Sequence, residues 1–247
     1  MTFFEYLESR RELLIAQTVE HANIVLTSVA LATLLGVLIG IATYRHPRAR
    51  GIAVAIAAAI MTIPSFALLG LLISPLGLGY LPALVALTMY ALLPIIRNTV
   101  VGLTEIDPAL TEAARGIGMS RTRSLATVEL PLAWPVILAG IRVSTQITMG
   151  IAAIAAYVGG PGLGNQIFSG LANLGGANSL NQALVGTLGV IVLALAVDLC
   201  LALLGRLTRT GRMERPGRTS WRGRPDPAGA LVGAPPLAVP TTQGGQR

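Results

Sequence analysis

The side chains able to do chemistry are few, and their types exclude more than they permit. All 18 basic residues are arginine. A phosphate-cradling Walker loop needs its lysine, so the chain carries no ordinary ATPase site. A Schiff-base lysine is excluded for the same reason. The single cysteine, Cys200, lies in an apolar run and cannot form an intramolecular disulfide. No HExxH, GxSxG or carboxylate cluster occurs, so no catalytic residue and no metal ligand is assigned. The glycine-dense "GGPGLG" (159–164) follows an apolar helix and not a strand, which removes a nucleotide-loop reading. What remains is a sparse polar set inside apolar runs. Arg142 and Asp198 are ionisable groups where charge is costly. Arg142 reads as an inner-surface anchor or the partner of a loop acid, and Asp198 as the partner of an arginine. Ser65, Tyr90, Gln146 and Met149 are candidate lining residues of a solute path. Gln146 is the costliest to leave against lipid, so it should face the protein interior or a pore.

The elements holding these residues are membrane spans. Residues 51–96 and 143–197 contain no Asp, Glu, Arg or His. A spanning helix needs about 20 apolar residues, so each run accommodates two. The chain is 53% hydrophobic and 12% charged, against about 25% charged in soluble domains. The expected fold is all-α: a polytopic membrane protein with about five transmembrane helices, near 22–44, 51–74, 81–103, 134–158 and 182–205. Pro64 and Ser65 should break the second span and Pro94 the third. Gly36 and Gly40 form a GxxxG pair, read as ordinary helix packing in preference to dimerisation. Three regions follow. Residues 1–21 are an N-terminal interfacial segment, with Phe3, Phe4, Leu7 and Leu14 at helical spacing and no signal-peptide pattern. Residues 22–205 are the transmembrane domain, with a polar loop at 105–131. Residues 206–247 are a basic tail rich in Pro and Gly, expected to be disordered and either solvated or resting on anionic lipid.

Arginine placement sets the orientation. Arg45, Arg48 and Arg50 follow the first span; Arg97, Arg115, Arg121 and Arg123 lie at or beyond the end of the third; Arg206, Arg209 and Arg212 follow the fifth. Connections 74–82 and 159–181 carry no charge. By the positive-inside rule the N-terminus is outside, and residues 104–133 and the C-terminus are cytoplasmic. The formal charge of +7 therefore belongs to membrane edges, and no nucleic-acid partner is implied. In the outer connection, Ile167, Phe168 and Leu171 suggest a short helix turned back toward the membrane.

The loop at 105–131 is the one stretch with soluble character. Asp107 followed by Pro108 starts a helix. Leu110, Ala113, Ala114 and Ile117 fall on one face. Gly116 and Gly118 weaken that helix and supply a left-handed terminus. Ser120 can cap a second helix, and Pro131 and Pro135 frame the start of the fourth span. The pattern therefore predicts two short helices joined by a glycine bend.

These residues resemble the EAA motif of ABC importer permeases. Glu112, Ala113 and Ala114 are followed after three residues by Gly118, and after nine more by Val128, Glu129, Leu130 and Pro131. Val128 stands where the family has isoleucine. The resemblance extends over about residues 12–205. "TIPSFALLGLL" (62–72), "LPALVALTMYALLPIIRNTVVGL" (81–103) and "GGPGLGNQIFSGL" (159–171) are similar to the osmoprotectant branch, which carries glycine betaine, carnitine, choline and related solutes. The resemblance implies a MetI-like fold and a transport subunit with no enzyme activity of its own. It makes 105–131 a coupling loop, with Glu112, Ala113, Ala114, Gly118, Leu130 and Pro131 facing a cytoplasmic ABC ATPase. It implies no cofactor on this chain, ATP and Mg belonging to the partner ATPase. Further partners are an extracytoplasmic solute-binding protein, a second permease copy or homologue, and membrane lipid. The location implied is a bacterial or archaeal plasma membrane. The rivals are a methionine-type or other small-solute ABC importer and, outside that class, an ion-driven secondary carrier. An inverted repeat and more buried ionisable groups would favour the carrier, and neither is seen.

Overall fold

The computed structural model describes residues 1–208, and the tail expected to be disordered lies outside the described residues from 209 onward. Helices follow in the order α1 (Phe3–Ser9), α2 (Arg11–Thr43), α3 (Pro47–Thr62), α4 (Ser65–Leu76), α5 (Tyr80–Thr104), α6 (Pro108–Gly116), α7 (Arg121–Ser124), α8 (Leu130–Ala155), α9 (Gly164–Ala172) and α10 (Ser179–Leu207). A π-turn, Leu125–Glu129, joins α7 to α8, and a 3₁₀ turn, Ala156–Val158, ends α8. Among the described residues, four helical stretches are long and apolar enough to cross a membrane: Arg11–Thr43, Tyr80–Thr104, Arg121–Val158 and Ser179–Leu207. The pair α3–α4, bent by 95°, passes the same test only when taken together as one broken span.

The N-terminal segment is a built element. Thr2 Oγ1 accepts from the Glu5 amide at 3.4 Å while the Glu5 carboxylate accepts from the Thr2 amide at 2.9 Å, a complete capping box. The buried Tyr6 donates its hydroxyl to Gln166 at 3.0 Å, and Gln166 donates to Gln17 at 2.8 Å. This relay ties α1 and α2 to α9. The helix expected to begin near residue 22 thus runs unbroken from Arg11, and only Phe3–Ser9 forms a separate helix.

α5 is the centre of the bundle, and small residues let its neighbours reach it. A Cβ on Gly40 would stand 2.5 Å from Thr99 Cγ2, and one on Gly36 2.8 Å from Ile95 Cγ2. A Cβ on Gly140 of α8 would stand 2.7 Å from the Pro94 carbonyl oxygen. The GxxxG pair therefore packs α2 onto α5 within the chain, as expected of ordinary packing. Gly40→Val should drive the two helices apart, at a cost of about 1–3 kcal/mol or more. Thermal unfolding in detergent should shift down by several degrees, whereas Gly51→Val, in open space, should leave it unchanged.

The two prolines act differently. Pro64 breaks its span as expected: Ile63 and Pro64 are extended (ψ 127° and 136°), and α3 meets α4 at 95°. α3 has 16 residues, about 24 Å, short of a hydrocarbon core about 30 Å thick. The Ile63 carbonyl freed by the break accepts the Tyr90 hydroxyl at 2.6 Å. Pro94, also expected to break its span, does not. It sits inside a continuous α5; Pro94 offers no amide to the Tyr90 carbonyl, and side chains bond two nearby carbonyls. Ser144 of α8 donates to the Ala91 carbonyl at 2.7 Å, and Asn98 donates to the Pro94 carbonyl at 2.8 Å.

The connections sort by charge. Arg45, after α2, pairs with Glu129 before α8 at 3.3 Å, and Trp134 donates to Thr208 beyond α10 at 2.9 Å. At the opposite end, the Gly79 amide donates to the Val158 carbonyl at 3.0 Å. The arginine-bearing connections thus share one end of the bundle and the uncharged ones the other.

Candidate functional site

The loop between α5 and α8 is built from local signals. Asp107 accepts from the Ala109 amide at 2.9 Å and Pro108 takes the first helical position, which starts α6. Gly118, at φ +83°, ends it. The Met119 amide donates to the Ala114 carbonyl at 3.0 Å and the Gly118 amide to the Arg115 carbonyl at 2.9 Å, the paired bonds of a Schellman terminus. Ser120 then accepts from the Arg123 amide at 3.3 Å and caps α7. The first short helix and the glycine bend match expectation. The second helix differs: it is the leading end of a continuous 38-residue run, Arg121–Val158. The π-turn keeps that run unbroken. The Leu130 amide reaches back to the Leu125 carbonyl, widening the helix where Pro131 has no amide to donate.

α6 presents an unfilled surface. Of the face Leu110, Ala113, Ala114 and Ile117, only Ala114 is buried; Ile117 is 75% exposed. Glu112 and Ala113 are exposed beside it. A Cβ on Gly116 or Gly118 would meet nothing within 4 Å. Of the other two motif residues, Leu130 packs against the core and Pro131 is exposed. The structure thus gathers Glu112, Ala113 and Gly118 on one open ridge and sets Leu130 and Pro131 at its root.

The root is held by a residue that sequence reasoning quoted only as a letter of the motif. Glu129 is 4% exposed. Its carboxylate accepts from the Tyr44 hydroxyl at 2.7 Å, the Ser124 hydroxyl at 3.2 Å and the Arg45 guanidinium at 3.3 Å. The end of α2 and the start of the α7–α8 helix therefore close on one buried carboxylate. The only signal in the sequence was an acid at the mouth of an apolar helix. Burial, then the bond to Glu129, pushes the Tyr44 hydroxyl up to about 12. A raised pKa favours the protonated, donating form in the folded state. Its stabilisation is complete below pH 10 and is lost as pH rises towards 12. Alkaline titration should therefore lower the unfolding temperature above pH 10 in the native chain and less in Tyr44→Phe.

A second ion pair lies within the spans. Arg142 of α8 donates Nε and Nη2 to Asp198 of α10 at 2.9 and 2.8 Å. The two intramembrane charges answer each other in a bidentate fork, and neither side chain is fully enclosed (40% and 30% exposed).

A scan of protein-family models matches residues 32–210 to the binding-protein-dependent transport system inner membrane component. The chain belongs to this family. It is 40% identical over 202 residues to the choline transport system permease protein OpuBB of Bacillus subtilis, covering 82% of this chain and 91% of that protein. It is 38% identical over 201 residues to the glycine betaine/carnitine/choline permease protein OpuCB of the same organism, covering 81% and 91%. It is 37% identical over 204 residues to the osmoprotectant import permease protein OsmW of Salmonella typhimurium, covering 80% and 93%. Among solved structures, the fold matches a chain of the inward-facing MetNI methionine ABC transporter with a TM-score of 0.69 at 23% identity, covering 81% of this chain and 98% of that one. The MetI-like all-α fold inferred from sequence is therefore the observed one.

Within this permease the four residues read as a solute path fall in different settings. Tyr90 is buried with its hydroxyl committed to the α3–α4 break, beside the half-buried Ser65. Met149 is buried, and its carbonyl accepts from His21 Nε2 at 3.2 Å. Gln146 is exposed one turn along α8 from Arg142. In a single chain the four do not share a surface.

Proposed function

We propose that this chain is the permease subunit of an ATP-driven importer for betaine-type quaternary ammonium osmoprotectants, without an ATPase site of its own. The observation that carries the reading is the open α6 ridge, ended by Gly118 and rooted at Glu129, in a chain 40% identical to a choline permease. The arginine-bearing end faces the cytoplasm of a bacterial or archaeal cell, leaving the N-terminus outside. There the ridge, with Glu112, Ala113, Ala114 and Gly118, docks on a separate ABC ATPase, which holds the ATP and Mg. This chain's part is mechanical. Displacement of α6 passes through the Schellman turn into the α7–α8 helix, and through Glu129 into α2. An extracytoplasmic binding protein delivers the solute at the uncharged end.

A second permease copy or homologue completes the pore. The partly exposed Arg142–Asp198 fork and the exposed Gln146 support this, because charge and amide facing lipid are costly. In that assembly Gln146 faces the path, with Ser65, Tyr90 and Met149 behind it. The methionine-type alternative rests on a 23% likeness that speaks to fold alone. The test is solute competition in proteoliposomes holding the permease, its ATPase and its binding protein. Labelled choline uptake should be suppressed by glycine betaine or carnitine and untouched by methionine; the reverse pattern would reject the substrate assignment.

A further inference from the structure

We propose that Phe66, Tyr157 and Phe168 form a receiving site for a quaternary ammonium group at the outer end of the permease. The proposal rests on the osmoprotectant reading and places a specific station on its path. Aromatic residues make up only 4% of the chain, yet three from separate elements meet here. Phe66 lies in the first turn of α4 beyond the Pro64 break, Tyr157 in the 3₁₀ turn ending α8, and Phe168 on α9. The Phe66 and Tyr157 rings are 5.5 Å apart at 80°, and the Tyr157 and Phe168 rings 5.7 Å apart at 50°. The cluster is not sealed: Tyr157 is 68% exposed and Phe66 50%. Phe66 and Tyr157 meet edge to face and Tyr157 and Phe168 are tilted, so the exposed ring surface beside these contacts offers π faces to a rounded trimethylammonium head.

The chemistry around the corner narrows the ligand. All three rings lie in the stretches 51–96 and 143–197, which contain no Asp, Glu, Arg or His. A cation arriving there finds no carboxylate nearby in sequence, and aromatic faces are the attraction these stretches offer. A quaternary ammonium carries its charge on methyl groups with no N–H to satisfy, so ring faces attract it. A primary ammonium would lose hydrogen bonds to water in the same corner. A site built on exposed ring faces binds weakly, as a handover point between a binding protein and a pore requires. The same chemistry would recognise the headgroup of a choline lipid, but the placement beside the uncharged outer loops favours the free solute.

The test uses the full-length permease in nanodiscs of phosphatidylglycerol and phosphatidylethanolamine, which contain no choline headgroup. Saturation-transfer NMR should show contact to the N-methyl protons of choline and little to 3,3-dimethylbutan-1-ol, its neutral isostere. Tyr157→Leu and Phe66→Leu should each remove the signal, and Tyr157→Trp should keep it. In the complete transporter, Tyr157→Leu should raise the KM for choline about three- to tenfold, the size expected for one or two exposed cation–π contacts. Equal signals from choline and its isostere, or an unchanged signal and KM in Tyr157→Leu, would overturn the site while native uptake continued. If free choline gives no signal, and one appears only as choline-lipid contact once phosphatidylcholine is added, the corner is a lipid site and the proposal fails. Failure of the native transporter to carry any quaternary ammonium would instead reject the osmoprotectant reading.

Discussion

Gly118→Val is expected to reduce ATP-driven uptake at least tenfold while leaving membrane insertion and the unfolding of the spanning bundle near native, because its strain is confined to α6. The residue sits at φ +83°, where a β-branched side chain costs about 1–3 kcal/mol. Two hydrogen bonds close the end of α6 around it, from the amides of Gly118 and Met119. α6 is only nine residues long and keeps one buried side chain, Ala114, so it has little tertiary packing to hold its shape once that terminus opens. The rest of the bundle makes no demand on the position, because a Cβ there meets nothing within 4 Å. The loss is therefore one of docking shape. Gly116→Ala, equally open in space and free of the positive φ, should transport normally. The comparison is made by uptake and by ATP hydrolysis in the assembled complex. Native uptake in Gly118→Val would remove α6 from the coupling pathway.

Glu129→Ala should act in the opposite way, through the fold first. The substitution strands the Tyr44 and Ser124 hydroxyls and the Arg45 guanidinium, all now directed at one buried carboxylate. Hydrogen bonds to a charged group are worth about 1.5–3 kcal/mol each, and the stranded Tyr44 donor adds a desolvation cost. A net loss of about 3 kcal/mol is expected, read as a fall of several degrees in the unfolding temperature. Glu129→Gln, which keeps the shape and an acceptor, should recover much of the stability. It removes the ion pair with Arg45, so the grip between α2 and the α8 root is weaker. We expect more ATP hydrolysed per solute in Glu129→Gln than in the native complex. A stability equal to native in Glu129→Ala would show that the carboxylate does not hold the root.

Much of this was legible because membranes simplify the code. Charge-free stretches located the spans, and alternating arginines grouped the connections that the structure brings to one end. Asp107, Gly118 and Ser120 marked their own termini, since capping is local chemistry. What failed to read was non-local. Pro94 was expected to break α5, but α5 is continuous and is braced beside the proline by Ser144 of a different helix, which donates to the Ala91 carbonyl. α7 was expected to be a separate helix, but a π-turn carries it into α8. Within residues 1–21, the contacts of Tyr6 and Gln17 could not be read either, because both meet Gln166, 160 and 149 residues away. Glu129 was missed for the same reason, because its partners Tyr44 and Arg45 lie more than 80 residues away. The Arg142–Asp198 fork was half-read: each group was assigned a partner of the right sign, but neither was named as the other's.

The central claim is that this chain moves solute only when an ATPase grips its α6 loop. The most direct measurement is labelled choline uptake into proteoliposomes, with the binding protein outside and ATP in the lumen, where the ATPase is bound. The account predicts accumulation against a gradient that requires both the ATPase and ATP. Uptake that persists with the ATPase omitted, or that follows an imposed ion gradient, would contradict it.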